Sequence, residues 1–147
     1  MPDLNPQQFE HQTGHRPPSP GDDVGAPLHD VEMVMPGFHK NPKIYDFQGP
    51  GISSESTRAI QAARGNPEHE VPIYRAVPKV EHGIKPGDWV STSRRYAQQH
   101  AMIDDHPEHD WSVVEGRAKA RELLTHGDDL NEWGYHPGNR AGYPKAD

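Results

Sequence analysis

The chain has 147 residues, which is room for one domain but not comfortably for two. Only 23 residues are Leu, Ile, Val or Phe, whereas Pro and Gly number 16 and 14. Because this apolar share lies below the roughly 20% at which globular chains begin to look disordered, we expect a modest core with unstructured flanks. The net charge of −7 argues against strong binding to nucleic acid, whose phosphates attract basic surfaces.

Residue usage excludes or disfavours several features. The absence of cysteine excludes disulfides, thiolate nucleophiles and cysteine-based zinc sites. No run of about 18 apolar residues could span a bilayer, and MPDLNPQQFE lacks the basic and apolar regions of a signal peptide. We therefore expect a soluble, cytoplasmic protein with no membrane partner.

Composition along the chain predicts one domain between two flexible ends. Residues 1–27 are rich in proline and lack any periodicity, so they are predicted to be a flexible leader. Residues 28–137 are the predicted domain, and the polar residues 138–147 are the predicted flexible tail. The stretch MPGFHKNPKIYDFQGPG alternates turn residues with single aromatics, which is typical of a loop lying over a domain.

The first predicted helix begins at Ser53 or Ser54, either of which can cap it, and ends at Gly65. A strand is predicted over 71–77, where branched and aromatic residues dominate. Alternation places Arg75 between two branched apolar residues on one face of that strand. A buried arginine is costly, so this one either escapes at the strand end or has an anionic partner.

The second half of the domain is predicted to be mainly short strands. Pro86-Gly87 suits the centre of a type II turn, which leads into a strand over 89–92. Ser93 then caps a short helix over 94–100. Further strands are predicted over 111–114 and 130–135, with Leu123 and Leu124 in the turn between them. Short strands interrupted by helices indicate the α+β class.

Three stretches, IYRAV, WVSTSRRYAQQHA and DLNEWGY, carry in chain order an arginine on a strand, a Ser-Thr-Ser strand end and a late glutamate. In this order they resemble mono-ADP-ribosyltransferases, over residues 71–137, and look closest to small versions carried on bacteriophage genomes. The resemblance implies a compact α+β domain with a split β-sheet core. It also implies a toxin-like transferase that uses NAD as substrate, without a metal, in the host-cell cytoplasm.

The residue types suit the roles that the resemblance implies. Arg75 would position NAD, because a planar guanidinium can bind pyrophosphate with two parallel hydrogen bonds. Glu132 would be catalytic, since a carboxylate stabilises the positive charge that develops on a ribose during glycosidic cleavage. Ser91 and Ser93 would link the other two residues by hydrogen bonds. Tyr96 is preferred among the nearby aromatics as a wall for nicotinamide.

The acceptor of ADP-ribose stays open. In family members that modify protein side chains, Glu or Gln often stands two residues before the late glutamate, whereas this chain has Leu130 there. A protein is the favoured acceptor, but a nucleobase, a small molecule or water is also compatible with the sequence.

Two other functions compete with the transferase. One is a catalytically inactive domain of the same fold, acting as a binding or phage structural module. The other is a metal-dependent hydrolase that uses the histidine-rich stretch 100–110, which holds His100, His106 and His109 with aspartates between them. Because Pro107 interrupts that stretch, it is predicted to be an exposed loop.

Overall fold

The computed structural model describes residues 17–20, 25–45, 52–78, 83–127 and 129–139. These residues form two α-helices and six strands, so the predicted α+β class is confirmed. The helices are α1 (Ser54–Ala63) and α2 (Arg94–Ala101). The strands are β1 (Ala26–Pro27), β2 (Glu70–Val77), β3 (Trp89–Ser91), β4 (Ser112–Lys119), β5 (Leu123–Thr125) and β6 (Glu132–Tyr135).

All six strands are hydrogen-bonded into one open antiparallel sheet, in the order β1-β5-β6-β3-β2-β4. The resemblance implied a core in which the β-sheet is split, whereas the strands observed form a single sheet. Over the described ranges, no helix has the length and apolar character needed to cross a membrane.

Both α-helices begin as the sequence predicts, at serine caps. The Ser53 hydroxyl accepts a hydrogen bond from the Ser56 amide at 3.0 Å, and α1 ends before Gly65, whose φ is +71°. The Ser93 hydroxyl accepts from the Tyr96 amide at 3.1 Å and so caps α2. These local signals are strong because they satisfy amides that the helix itself leaves unpaired.

The predicted turn before β3 is also confirmed. The Asp88 amide donates to the Lys85 carbonyl at 3.1 Å, and Gly87 has the positive φ of +86° that the third position of a type II turn requires. The turn returns the chain so that β3 pairs antiparallel with β2.

Three strand predictions need correction. β4 continues to Lys119 because it pairs with β2 along the whole of Glu70–Val77. Leu123 and Leu124 are not in a turn but form β5, where both are fully buried. β6 begins only at Glu132, because a tight turn precedes it: the Asp129 carboxylate accepts the Asn131 amide, and the Asp129 carbonyl accepts the Glu132 amide.

The domain begins before the predicted boundary at residue 28. Ala26–Pro27 pair with β5, and a 3₁₀ helix follows at Leu28–Met33. A second 3₁₀ helix, Pro42–Tyr45, lies in the stretch predicted as a loop. This region supplies apolar residues to the core, which are Leu28, Val31, Met35 and Phe38. These four residues are spaced three, four and three apart, which is the period of one helical face, but the segment folds as a 3₁₀ helix followed by turns.

The main core lies on one face of the sheet, against α1 and the N-terminal 3₁₀ helix. Ile73 of β2, Val90 of β3 and Trp133 of β6 point into it and are at most 1% exposed. Ile60 packs there from α1. The opposite face of the same strands is consequently left for α2 and for whatever site the domain carries.

Part of the predicted leader is packed against the sheet. Pro17 and Pro18 are buried, and the Pro18 carbonyl accepts a hydrogen bond from His136 Nε2 at 2.6 Å. Gly134 permits this approach, because a Cβ at that position would overlap the Pro18 backbone. At the other end, the amide of Gly138 donates to Glu122 at 2.8 Å. Of the predicted leader and tail, the structure describes only residues 17–20, 25–27 and 138–139, and the rest of both lies outside the described residues.

Gly134→Ala is therefore expected to displace the Pro17–Pro20 segment and to lower the free energy of unfolding by about 1–3 kcal/mol. The chain has no cysteine, so a Ser19→Cys variant reports the exposure of this segment through its labelling rate with a thiol reagent. Labelling should be faster when Gly134→Ala is added. Gly116→Ala is the matched control, since its Cβ would meet only side chains, those of Ile84 at 3.4 Å and Ile73 at 3.6 Å. Equal labelling rates in all three backgrounds would show that Pro18 does not depend on Gly134.

Candidate functional site

The three strands that carry the predicted site residues are neighbours in the sheet. β3 lies between β2 and β6, and Ser91 is the direct partner of both Tyr74 and Glu132. Side chains of directly opposed residues point to the same face. Tyr74, Ser91 and Glu132 therefore share the face opposite the main core, which we call the Glu132 face.

Arg75 does not join them. It follows Tyr74 along β2, so alternation points its side chain to the core face. There its Nε lies 3.5 Å from the carboxylate of Asp88, and the residue is 9% exposed. The anionic partner expected for a buried arginine is thus Asp88, at the entrance to β3. The structure does not bring Arg75 together with Ser91 and Glu132.

Helix α2 covers part of the Glu132 face. Its first residue, Arg94, lies with its guanidinium carbon 4.8 Å from the centre of the Tyr74 ring and pairs with Glu115 of β4. Its buried residues Ala97 and Ala101 allow the helix to pack closely on the sheet. This packing brings the inner side of α2 against the strand pair that bears Ser91 and Glu132.

A cluster of titratable side chains surrounds Glu132, which is only 4% exposed. Its Oε1 lies 4.0 Å from Nδ1 of His100 on α2. The His100 ring packs on the Tyr96 ring with centroids 4.4 Å apart, and the Tyr96 hydroxyl donates to Asp129 at 3.0 Å. Burial lowers the pKa of His100 below its usual value, and the nearby Asp129 partly offsets this effect. The ring is therefore neutral at pH 7.

The three residues of the Ser-Thr-Ser triplet make different contacts: Ser91 pairs with the strand that bears Glu132, whereas Thr92 and Ser93 bind residues of α1. Ser91 is paired with Glu132 of the neighbouring strand, and its hydroxyl accepts the Ser93 amide at 2.9 Å. The Thr92 hydroxyl donates to Ser56 at 2.8 Å, and the Ser93 hydroxyl donates to Glu55 at 2.6 Å. Ser93 thus ties the start of α2 to the start of α1. Ser93 was predicted to link Arg75 with Glu132. In the structure its hydroxyl instead binds Glu55.

Ser93→Ala is expected to lower the free energy of unfolding by about 1–2 kcal/mol, because it removes both the cap of α2 and the bond to Glu55. Urea unfolding measures the effect. Ser112→Ala is the control, since Ser112 is an exposed residue of β4 and its loss should cost less than about 0.5 kcal/mol. Similar losses in both variants would contradict the structural role of Ser93.

An open cleft of about 600 Å³ lies beside the Glu132 face, within the size range of ligand sites. It separates the start of α1 from the outer side of α2. Asn131, the residue before Glu132, forms part of its wall and accepts the Ser53 amide at 2.9 Å. The other lining residues include Ile52, Glu55, Arg95, Tyr96 and Gln99. Tyr96 therefore lies between this cleft and the buried cluster around Glu132.

His100 and Asp129 are the site residues that the sequence did not single out. His100 was grouped with the exposed histidine stretch, although it stands four residues after Tyr96 and so on the same helical face. The other two histidines of that stretch are exposed, with His109 2.7 Å from Asp104. Within the described parts of the chain, no three His, Asp or Glu residues are grouped so that they could hold a metal ion.

Comparisons with protein-family models, with curated proteins and with solved structures found no match.

Proposed function

We propose that this chain is a small NAD-dependent mono-ADP-ribosyltransferase whose catalytic carboxylate is Glu132. The observation that carries the proposal is the direct pairing of Ser91 with Glu132 on adjacent strands, with the carboxylate buried on the face that α2 covers. A hydroxyl and a carboxylate held side by side on rigid strands can bind a ribose and stabilise positive charge on it.

The chemistry breaks the bond between the nicotinamide nitrogen and C1′ of the ribose. The electron pair leaves with nicotinamide, which becomes neutral, and positive charge develops on the ribose as in glycoside hydrolysis. Glu132 stabilises that charge. The acceptor then forms a bond to C1′ and gives up its proton to the solvent.

Other residues have supporting roles in the proposal. Tyr96 would wall the nicotinamide, because its half-buried ring lies between the cleft and the cluster around Glu132. The predicted role of Arg75 would require its guanidinium to leave Asp88 and the core face of the sheet. Leu130 is 2% exposed, so the position two before Glu132 offers no polar group to an acceptor.

The acceptor is proposed to be a protein that the chain meets in the cytoplasm of a bacterial host. The test is incubation of the purified chain with NAD labelled in the adenylate part, in a bacterial lysate. Label that stays on macromolecules, together with release of nicotinamide, supports transfer. Release of nicotinamide without retained label means that water or a small molecule is the acceptor. If neither occurs, the proposed function fails.

A second function, a non-catalytic binding or phage structural module of the same fold, is favoured by one observation. Arg75 is engaged by Asp88 on the core face, whereas the transferase hypothesis uses it to bind pyrophosphate. A module of this kind would bind a partner without releasing nicotinamide, so the same experiment separates the two.

A further inference from the structure

We propose that His100 is a positioning residue for Glu132, donating a hydrogen bond from Nδ1 to Oε1 and so fixing the orientation of the carboxylate toward the ribose. This inference rests on the proposed function, since it concerns the same carboxylate. It adds a residue from α2 to a site otherwise built from the strands.

The first argument is the distance between the two groups. His100 Nδ1 lies 4.0 Å from Glu132 Oε1, which is too long for a hydrogen bond and too short for an intervening water. Nδ1 is buried and has no hydrogen-bond partner among the residues that the structure describes. A buried polar nitrogen without a partner is costly, so closing this gap is favourable. A movement of about 1 Å suffices, and binding of a substrate can supply it.

The second argument is that the ring is held in place from its other side. The Tyr96 ring lies against it at an interplanar angle of 36°, and Tyr96 is itself fixed by its bond to Asp129. Asp129 in the turn before β6 thus holds Tyr96, and Tyr96 supports the His100 ring that faces Glu132. Such support reduces the freedom of the imidazole and so favours one geometry toward Glu132.

The third argument is charge. A neutral ring with its proton on Nδ1 donates to Glu132 without cancelling the negative charge that stabilises the ribose cation. The groups facing His100 are Tyr96 on its own helix, Glu132 on β6 and Asp129 in the preceding turn. Because burial lowers the pKa of His100, the ring becomes cationic only below its usual value of 6.5. Protonation of His100 forms an ion pair that neutralises the charge of Glu132. Activity should therefore fall as the pH is lowered through the pKa of His100, which lies below 6.5.

The test compares three substitutions in the full chain. In His100→Asn the amide nitrogen takes the place of Nδ1, in His100→Gln it takes the place of Nε2, and His100→Leu removes both. Expected values of kcat for nicotinamide release are within about threefold of the wild type for Asn and at least about tenfold lower for Gln and Leu. KM should change little in all three. The acid limb that His100 gives to the wild-type pH profile should be absent from His100→Asn.

Equal kcat values for the Asn and Leu variants, or an unchanged acid limb in His100→Asn, would overturn the positioning role. An NMR titration of the His100 ring provides a readout that needs no turnover. Glu132→Gln should lower the pKa of His100 further, since it removes a negative neighbour, and an unmoved pKa would overturn the contact itself. If the wild type releases no nicotinamide while the pKa does move, the proposed function fails but the contact stands.

Discussion

Glu132→Gln is expected to lower the rate of nicotinamide release from NAD by about 10²- to 10³-fold. The side chain is buried beside Ser91 and His100, and the amide has the same shape as the carboxylate. The substitution should therefore keep the fold and remove only the negative charge that the ribose cation needs. The measurement is the initial rate of nicotinamide release, with the unfolding midpoint recorded for each protein.

The matched control for this prediction is Glu70→Gln. Glu70 lies on β2, is exposed, and pairs with Arg117 on the neighbouring strand, so its charge contributes little to stability or to the site. Its rate should stay within about twofold of the wild type. Glu132→Gln protein that is folded and cleaves NAD as fast as this control would remove Glu132 from the mechanism.

Arg75→Leu is expected to lower the free energy of unfolding by about 2–4 kcal/mol. The guanidinium is buried on the core face, and its removal leaves the Asp88 carboxylate, 3.5 Å away, without this partner at the entrance to β3. Asp88→Asn should cost less, because Asp88 is the more exposed member of the pair. A double-mutant cycle in urea should give a coupling energy of about 1–2 kcal/mol.

The same two variants separate a structural Arg75 from one that binds pyrophosphate. From the geometry, the affinity for NAD measured by calorimetry should change less than about threefold in Arg75→Leu, provided that the protein is folded. A loss of about tenfold or more, corresponding to a charge-assisted contact of about 1.5–3 kcal/mol, would instead support the role predicted from the sequence. In that case Asp88→Asn should not weaken binding, since Asp88 would only compete for the arginine.

The sequence predicted best those elements whose signals are local. The serine caps at Ser53 and Ser93 and the turn at Pro86-Gly87 depend on a few adjacent residues, and all three are found. The pairing of Ser91 with Glu132 joins residues 41 positions apart, and it was a family resemblance, not any local signal, that led us to expect them close together. Because these two residues are directly opposed on adjacent strands, their side chains point to the same face of the sheet.

What the sequence could not give depends on contacts between distant segments. β4 extends to Lys119 because β2 offers a full-length partner, and this is not visible in the alternation of its own residues. The face on which Arg75 lies depends on the register between β2 and β3, where a shift of one residue exchanges the two faces. His100 reaches Glu132 only because small residues let α2 pack closely on the sheet.

The most direct test of the central claim is to titrate NAD into ¹⁵N-labelled Glu132→Gln protein and follow the amide resonances. If the Glu132 face binds NAD, the largest changes should fall on Ser91, Tyr96, His100 and Asn131, with small changes at the outer end of β4 near Lys119. Saturating changes confined to β4, or none at millimolar NAD, would contradict the assignment of this face as a dinucleotide site.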